Sequence, residues 1–273
     1  MVLSNPSTNP IRSEASVGEL FSPAEVYHEN SKIFASNTEL FANIQAVNST
    51  PKLRRIISRP FTTYPGVPVV PLPEVGKVSE KSFESILRER RSVRKFKEEP
   101  IALTDLAAIL YLGDGIVSEY HDPDGSVWQL RTAPSGGGLY PIDLFCFALN
   151  IDGLENGLYF YNTRRHHLEQ IQLKDYRTSL QDATHLNVEF GTASCCIAMK
   201  CIPSRSNFKY GERAYRFMLL EAGHIAQNLS LAATALGLAS LPVGGFIDDR
   251  VNALLKADGC DEFVIYLVAF GKP

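Results

Sequence analysis

Three short stretches of this 273-residue chain carry residue types that hold anions and flat ligands. The first is R-R-S-V-R at 90–94. In an extended backbone alternate side chains share a face, so Arg90, Ser92 and Arg94 would converge on one anion. Taken alone, the run reads more simply as basic residues offsetting the dipole of a helix C-terminus. The second is A-P-S-G-G-G-L-Y-P at 133–141. After Pro134 and Ser135, the glycines Gly136, Gly137 and Gly138 cost backbone entropy and leave a surface without side chains. A flat ligand or a second chain can approach such a surface closely; the plain alternative is a flexible loop. The third is S-L-P-V-G-G-F-I-D at 240–248, with Pro242, Gly244 and Gly245 between a short strand and a helix. Backbone N–H groups at such a turn donate to a ring nitrogen, and a tight turn with a helix cap is the alternative. Together the three supply cations for a phosphate and a reduced ring, an N–H donor and an open ring face, which are the needs of a flavin mononucleotide, FMN.

The element that must organise them is the stretch 207–237, N-F-K-Y-G-E-R-A-Y-R-F-M-L-L-E-A-G-H-I-A-Q-N-L-S-L-A-A-T-A-L-G. From about residue 211 it lacks proline and is apolar on most of its circumference, predicting a buried helix of about 40 Å. Gly237 stops it. Ala222, Ala226, Ser230, Ala233 and Gly237 form a seam of small side chains that lets another backbone come close. Glu221, His224 and Asn228 form a polar line that needs hydrogen-bond partners inside a core. Such a helix is either a central core helix with a satisfied polar network, or one that crosses its twin in a dimer and props up a site at its start. There, Lys209 and Tyr210 stand just outside the first turn.

The totals restrict the function classes. A composition 45% hydrophobic and 21% charged is that of a soluble globular protein, and a net charge of -3 weighs against a general nucleic-acid or membrane-surface binder. No apolar run approaches about 18 residues, so no membrane span is expected, and the N-terminus lacks the pattern of a secretory signal. Five cysteines include no C-x-x-C pair, and the neighbours Cys195 and Cys196 would point to opposite faces of a strand. Reduced thiols in a cytoplasmic protein follow. No metal site is expected: His166 and His167 are poorly spaced as ligands, and H-D-P-D-G at 121–125 reads as a turn without EF-hand alternation. The dinucleotide fingerprint and the P-loop are missing.

Along the chain, 1–77 reads as an extension: a proline-bearing polar tail, one or two short helices and a strap, Y-P-G-V-P-V-V-P-L-P at 64–73, held extended by its prolines. The main domain is then 78–273. A helix is predicted over 81–90 with Phe83, Ile86 and Leu87 inward, and a second over 105–112, capped by Thr104 and ended by Gly113. Strands are predicted over 142–149, 192–201 and 263–270, and a hairpin over 157–161 and 167–173. Mixing without βαβ alternation favours an α+β fold.

R-R-S-V-R, P-S-G-G-G-L-Y-P, the long helix, L-P-V-G-G-F and the final V-A-F-G-K-P together resemble the nitroreductase superfamily from about residue 81 to the end. More narrowly they resemble its SagB/McbC-type branch, the azoline dehydrogenases of thiazole/oxazole-modified peptide biosynthesis. Y-H-E-N-S-K at 27–32 and the strap are similar to that branch's N-terminal extension. Simple nitroreductases commonly carry Asn and Gln where this chain has Gly138 and Tyr140, a departure that weighs against a plain nitroreductase. The resemblance implies an α+β homodimer with a central mixed or antiparallel sheet flanked by helices, a long central helix at the dimer interface, and FMN held between the chains. By position, Arg90, Arg91, Ser92 and Arg94 would hold the phosphate, the ribityl chain and the N1/O2 edge. Pro134, Ser135, Gly136, Gly137 and Gly138 would reach the flavin across the interface. Gly244 would offer its N–H to N5, Pro242 and Gly245 would line the ring, and Lys272 is a weaker phosphate candidate.

In that branch a Lys-Tyr pair is catalytic, and Lys209-Tyr210 stands in its place. Aromatising a thiazoline or oxazoline removes a hydride from one ring carbon and a weakly acidic proton from its neighbour, so a placed base is needed. Both side chains ordinarily keep their protons to about pH 10. A lysine cation would favour tyrosinate, or desolvation would favour neutral lysine. Tyr210 as base, tuned by Lys209, is the first expectation, and the reverse stays open. Arg205 and Arg213 flank the pair and are candidates to hold its charge state or receive a peptide carboxylate. The resemblance further implies reoxidation by dioxygen, a peptide substrate and a cyclodehydratase complex as partner. The rivals are an NAD(P)H-dependent nitro- or quinone reductase and a non-catalytic scaffold subunit of such a complex.

Overall fold

The computed structural model describes residues 22–58, 61–184 and 188–273. The proline-bearing tail expected at the start falls on residues 1–21, outside the described residues. Three helices come first: α1 (Pro23–Asn30), α2 (Thr38–Ser49) and α3 (Pro51–Ile57). The strap follows with β1 (Val69–Pro71), then α4 (Phe83–Glu89), β2 (Ile101–Ala102) and α5 (Leu103–Asp114). A hairpin, β3 (Ile116–His121) and β4 (Val127–Arg131), leads through a 3-10 turn at Gly136–Gly138 to β5 (Ile142–Ala148) and β6 (Ile151–Asp152). Next are β7 (Gly157–Asn162), β8 (His167–Leu173), α6 (Arg177–Ala183), β9 (Cys195–Cys201) and α7 (Ser204–Tyr210). The long α8 (Arg213–Ala235), β10 (Ala239–Val243), α9 (Asp248–Leu255) and β11 (Phe263–Gly271) complete the chain.

Seven strands form one sheet in the order β1-β8-β7-β5-β9-β11-β10, every pair antiparallel. Both faces are covered, so β5 and β9 are buried at every position. Alternation sends Leu144, Cys146, Ile197 and Met199 to the side of α5 and α8. Phe145, Phe147, Cys196 and Ala198 go to the side of α6 and α9. Cys195 and Cys196 thus enter different cores, as their adjacency predicts, and with Cys146 and Cys201 they are buried free thiols; Cys260 is exposed.

The small-residue seam of α8 faces the chain's own core. Ala222, Ala226, Ser230 and Ala233 are buried there, and the backbone that comes close is that of α5. A Cβ at Gly113 would overlap the Leu229 side chain, so glycine sets that spacing. The polar line separates: Glu221 is buried, Asn228 Nδ2 donates to Thr132 O at 3.3 Å, and His224 is exposed. The face turned away from the core carries Leu219 and Leu220, both exposed.

Some local expectations shift. Phe83 and Leu87 of α4 are exposed, not inward, because the helix meets α8 through its other side, where Ile86 is half-buried. Helix α5 begins at Leu103 with Ala102 as an N-cap that makes no side-chain bond, which puts Thr104 inside it, and it runs past Gly113 to Asp114. Strand β9 starts three residues late because Thr192 N–H closes a turn onto Glu189 O. The hairpin β3–β4 was not anticipated. No helix among the described residues is long and apolar enough to cross a membrane. Nor do the described residues contain a cluster of three or more metal-ligating side chains.

The three leading helices are tied to the main domain at three places: the start of α8, α7 and the β3–β4 turn. Arg216 Nε donates to Ser31 Oγ at 2.7 Å and Arg213 Nη1 to Ser31 O at 3.0 Å. Asn43 Nδ2 of α2 donates to Phe208 O at 2.7 Å and to Lys209 O at 3.2 Å, fixing α7 from above. Arg54 of α3 grips Asp122 and, at 3.2 Å, Asp124 in the hairpin turn.

Candidate functional site

One group of candidates gathers at the β10 edge of the sheet. Residues 90–94 run parallel to β10: Ser92 bridges Ser240, and Val93 N–H donates to Ser240 O at 3.0 Å. Further on, Lys97 N–H donates to Lys272 O at 3.0 Å, and buried Phe96 lies flat on Gly271. A Cβ at Gly271 would sit 2.8 Å from Phe96 Cγ. The stretch is therefore extended and anchored, with Arg91, Ser92 and Arg94 exposed and Arg90 partly so. Among the described residues none of Arg90, Arg91, Arg94 and Lys272 is in an ion pair, and buried Ser240 Oγ has no partner. Gly244 and Gly245 are exposed just past the end of β10, with half-buried Pro242 two residues before Gly244. The structure thus brings R-R-S-V-R, L-P-V-G-G and Lys272 to one place.

The remaining candidates form a second group. Gly137 and Gly138 adopt φ of 70° and 65°, a backbone that favours glycine. Tyr140, at φ 45°, is held there by Ser135 Oγ, which accepts from its N–H at 2.9 Å, and by Arg131, stacked 4.2 Å from its ring centroid. Gly136 lies on Phe217, and a Cβ at Gly137 would overlap the Tyr210 hydroxyl. Pro134 is exposed. Tyr210 meets Phe217 edge-on at 5.1 Å, and Lys209 Nζ lies 5.2 Å from the Tyr210 ring centroid. A left-handed break at Gly211 (φ 52°) ends α7 here and separates the pair from α8.

Lys209 is 5% exposed, and no carboxylate among the described residues is in an ion pair with it. Burial, and then the charge of Arg54, push its amine below the ordinary lysine value. Burial pushes the Tyr210 phenol up. Burial, joined at Lys209 by the charge of Arg54, thus moves the amine toward its neutral form and the phenol toward its protonated form, directions that suit the assignment with Lys209 as base, which the sequence left open. Arg205 and Arg213 do not serve the pair. Arg205 is bidentate on Asp143, at 2.7 and 3.1 Å, and Arg213 is spent on the Ser31 carbonyl.

Lys209 opens onto a cavity of about 580 Å³ lined by Gly137, Gly138, Trp128, Tyr120, Asn48 and Arg54 among others. Sequence reasoning missed the last four. The hairpin was legible as I-V-S-E-Y-H and V-W-Q-L-R on either side of D-P-D-G, whereas Arg54, 68 positions from Asp122, left no local signal.

Beneath the glycine turn lies a buried polar cluster. Arg131 pairs with Asp114 at 2.5 Å, both side chains almost fully enclosed. Burial raises Asp114 to about 6 against the pull of Arg131. Burial raises Glu221 to about 8; Ser135 is close by but not in hydrogen-bonding geometry, and neither carboxyl oxygen has a partner among the described residues. In the unfolded chain these groups ionise near 4.5 and 3.8, so between those values and their folded ones the native state holds extra protons. Stability then falls as pH rises from 4.5 towards 8, by at most about 1.4 kcal/mol per pH unit for each group. Urea unfolding at pH 5, 6.5 and 8 checks this, and Glu221→Gln is expected to remove most of the slope.

The model of the nitroreductase family matches residues 87–272. The chain belongs to the nitroreductase family. This nitroreductase-family protein has the expected α+β fold, with its main sheet antiparallel throughout. It is 29% identical over 199 residues to MJ1384 of Methanocaldococcus jannaschii, a protein named for the same family, covering 73% of this chain and 95% of that one. It is 33% identical over 154 residues to the microcin B17-processing protein McbC of Escherichia coli, covering 52% of this chain and 54% of McbC. The chain thus spans nearly all of MJ1384 but about half of McbC. In structure it is similar to a chain of the E. coli microcin synthetase McbBCD complex, solved with truncated pro-MccB17 bound. There the TM-score is 0.58 at 22% identity, over 88% of this chain and 98% of that chain, a likeness of fold.

Proposed function

We propose that this chain is an FMN-dependent azoline dehydrogenase, which oxidises thiazoline or oxazoline rings of a ribosomally made peptide to thiazole or oxazole. The observation that carries this reading is Lys209: a buried amine with its proton affinity lowered, opening onto a cavity beside bare glycines. Similarity to McbC, a processing protein of microcin B17, supports it.

FMN fits the residues present. The cations of 90–94 and Lys272, without ion-pair partners among the described residues, suit its phosphate; exposed Gly244 and Gly245 offer backbone N–H groups; Gly137 and Gly138 line the cavity that Lys209 borders. These groups stand on separate elements, and a homodimer that sets one chain's cationic edge against the other's glycine turn would complete the site. Residues 1–77 then form an extension over a catalytic domain at 78–273, and a cyclodehydratase complex would supply the azoline-bearing peptide.

Bound FMN would supply the hydride acceptor, with dioxygen as the terminal oxidant. The neutral amine of Lys209 takes the proton from the neighbouring ring carbon, and the ring becomes aromatic. Tyr210 keeps its own proton; its ring, wedged between Phe217 and Gly137, holds the amine in place and keeps water from it. Each ring loses one hydride and one proton, about 2 Da.

A second reading, an NAD(P)H-dependent nitro- or quinone reductase, draws support from the near full-length match to MJ1384. Incubating the FMN-loaded protein with a thiazoline-bearing peptide in air separates the two. The expected result is a loss of about 2 Da per ring by mass spectrometry without NAD(P)H. An unchanged mass with FMN bound overturns the proposal.

A further inference from the structure

The cavity that Lys209 opens onto also has an aromatic wall that the proton transfer does not require. Tyr120 and Trp128 are register partners on β3 and β4, so their side chains share one face of the hairpin. Trp128 borders the glycine turn, 3.6 Å from where a Cβ at Gly138 would be, and the same cavity is lined by Trp128 and Lys209. Its indole is held in one orientation: Nε1 donates to Asp122 Oδ2 at 2.7 Å, and Arg54 grips the same oxygen while reaching Asp124. A helix from the start of the chain thus fixes an indole on a hairpin 68 to 74 positions later.

Resting on the function proposed above, we infer that Trp128 is the specificity-determining residue for the peptide, stacking its indole on the planar ring, and that Arg54 is the positioning residue which sets the indole through Asp122. Ring-on-ring contact of this kind contributes about 0.5–1.5 kcal/mol beyond the area it buries. At about 580 Å³ the cavity also takes the residues that flank a five-membered ring. The grip needs a planar fork that meets two carboxylates, which arginine has and lysine lacks.

Trp128 is the single tryptophan of the chain, so its emission reports on the wall directly. The probe is a short synthetic peptide with one thiazole, compared with the same peptide bearing cysteine in place of the ring. Saturable quenching by the thiazole peptide only is expected, in the wild type and in catalytically dead Lys209→Ala alike. In turnover of the thiazoline form, Trp128→Leu is expected to raise KM about tenfold with kcat within about twofold, and Trp128→Phe to stay near wild type. Arg54→Ala is expected to raise KM similarly, and the double variant Arg54→Ala/Trp128→Leu to be no worse in KM than Trp128→Leu. Quenching equal for both peptides, or a wild-type KM in Trp128→Leu, overturns the inference while leaving the dehydrogenase reading intact. A wild-type protein that oxidises no thiazoline peptide overturns that reading and this inference with it.

Discussion

Lys209→Ala is expected to slow azole formation by about 10²–10⁴-fold, the range lost when a placed general base is removed, while the protein stays folded and retains FMN. The side chain is enclosed, has no carboxylate in an ion pair with it among the described residues, and is pressed toward neutrality by burial and by Arg54. Tyr210→Phe is expected to cost less, because it keeps the ring packed on Phe217 and removes only a hydroxyl that burial already holds protonated. A pH–rate midpoint below 10.0 selects Lys209 as the base, and one above 10.5 selects Tyr210. With Lys209 as base, activity rises with pH through a value below the usual lysine 10.5. With Tyr210 as base it would rise only above the usual tyrosine 10.0. An unaltered rate in Lys209→Ala would favour the non-catalytic scaffold.

Arg131→Met is expected to destabilise the fold by about 3–5 kcal/mol at pH 8, since it leaves the Asp114 carboxylate buried without its cation. The loss is expected to be smaller at pH 5, below the folded value of about 6, where Asp114 is largely protonated and no charge is stranded. The double variant Arg131→Met/Asp114→Asn is expected to recover most of the stability, because both ends of the pair are then neutral. Urea unfolding of the three proteins at both pH values measures these terms. The single change also removes the stacking of Arg131 on Tyr140, which seats the glycine turn, so weaker FMN binding is expected to accompany it.

The sheet and the long helix were legible because their signals are local and periodic. The mostly apolar runs of β5 and β9, the hairpin β7–β8 and the unbroken α8 follow from residue types a few positions apart. The direction in which a face points is a different matter. Phe83 and Leu87 carry the inward signature of an amphipathic helix yet lie outside, since that signature says which residues share a side and not which side meets the core. Likewise the small-residue seam of α8 did announce a close backbone, but the sequence could not tell a neighbouring helix from a twin.

The candidate site divides in the same way. R-R-S-V-R and L-P-V-G-G meet at one sheet edge, an outcome their separate patterns only hinted at. The balance within the Lys-Tyr pair was beyond local reading, because it is set by enclosure and by Arg54, which lies 155 positions before Lys209. Arg205 and Arg213 were suggested by nearness in sequence and are engaged by Asp143 and Ser31, distant partners that only the fold brings in. The indole wall is hidden for a related reason: D-P-D-G reads locally as a turn, and the pairing of Tyr120 with Trp128 shows only once the two strands are in register.

Anaerobic mixing of the FMN-loaded protein with a thiazoline-bearing peptide tests the central claim most directly. The yellow absorbance is expected to bleach as thiazole forms in equal amount, and the same mixture made with Lys209→Ala is expected to stay yellow. Bleaching by NADPH together with none by the thiazoline peptide would contradict it.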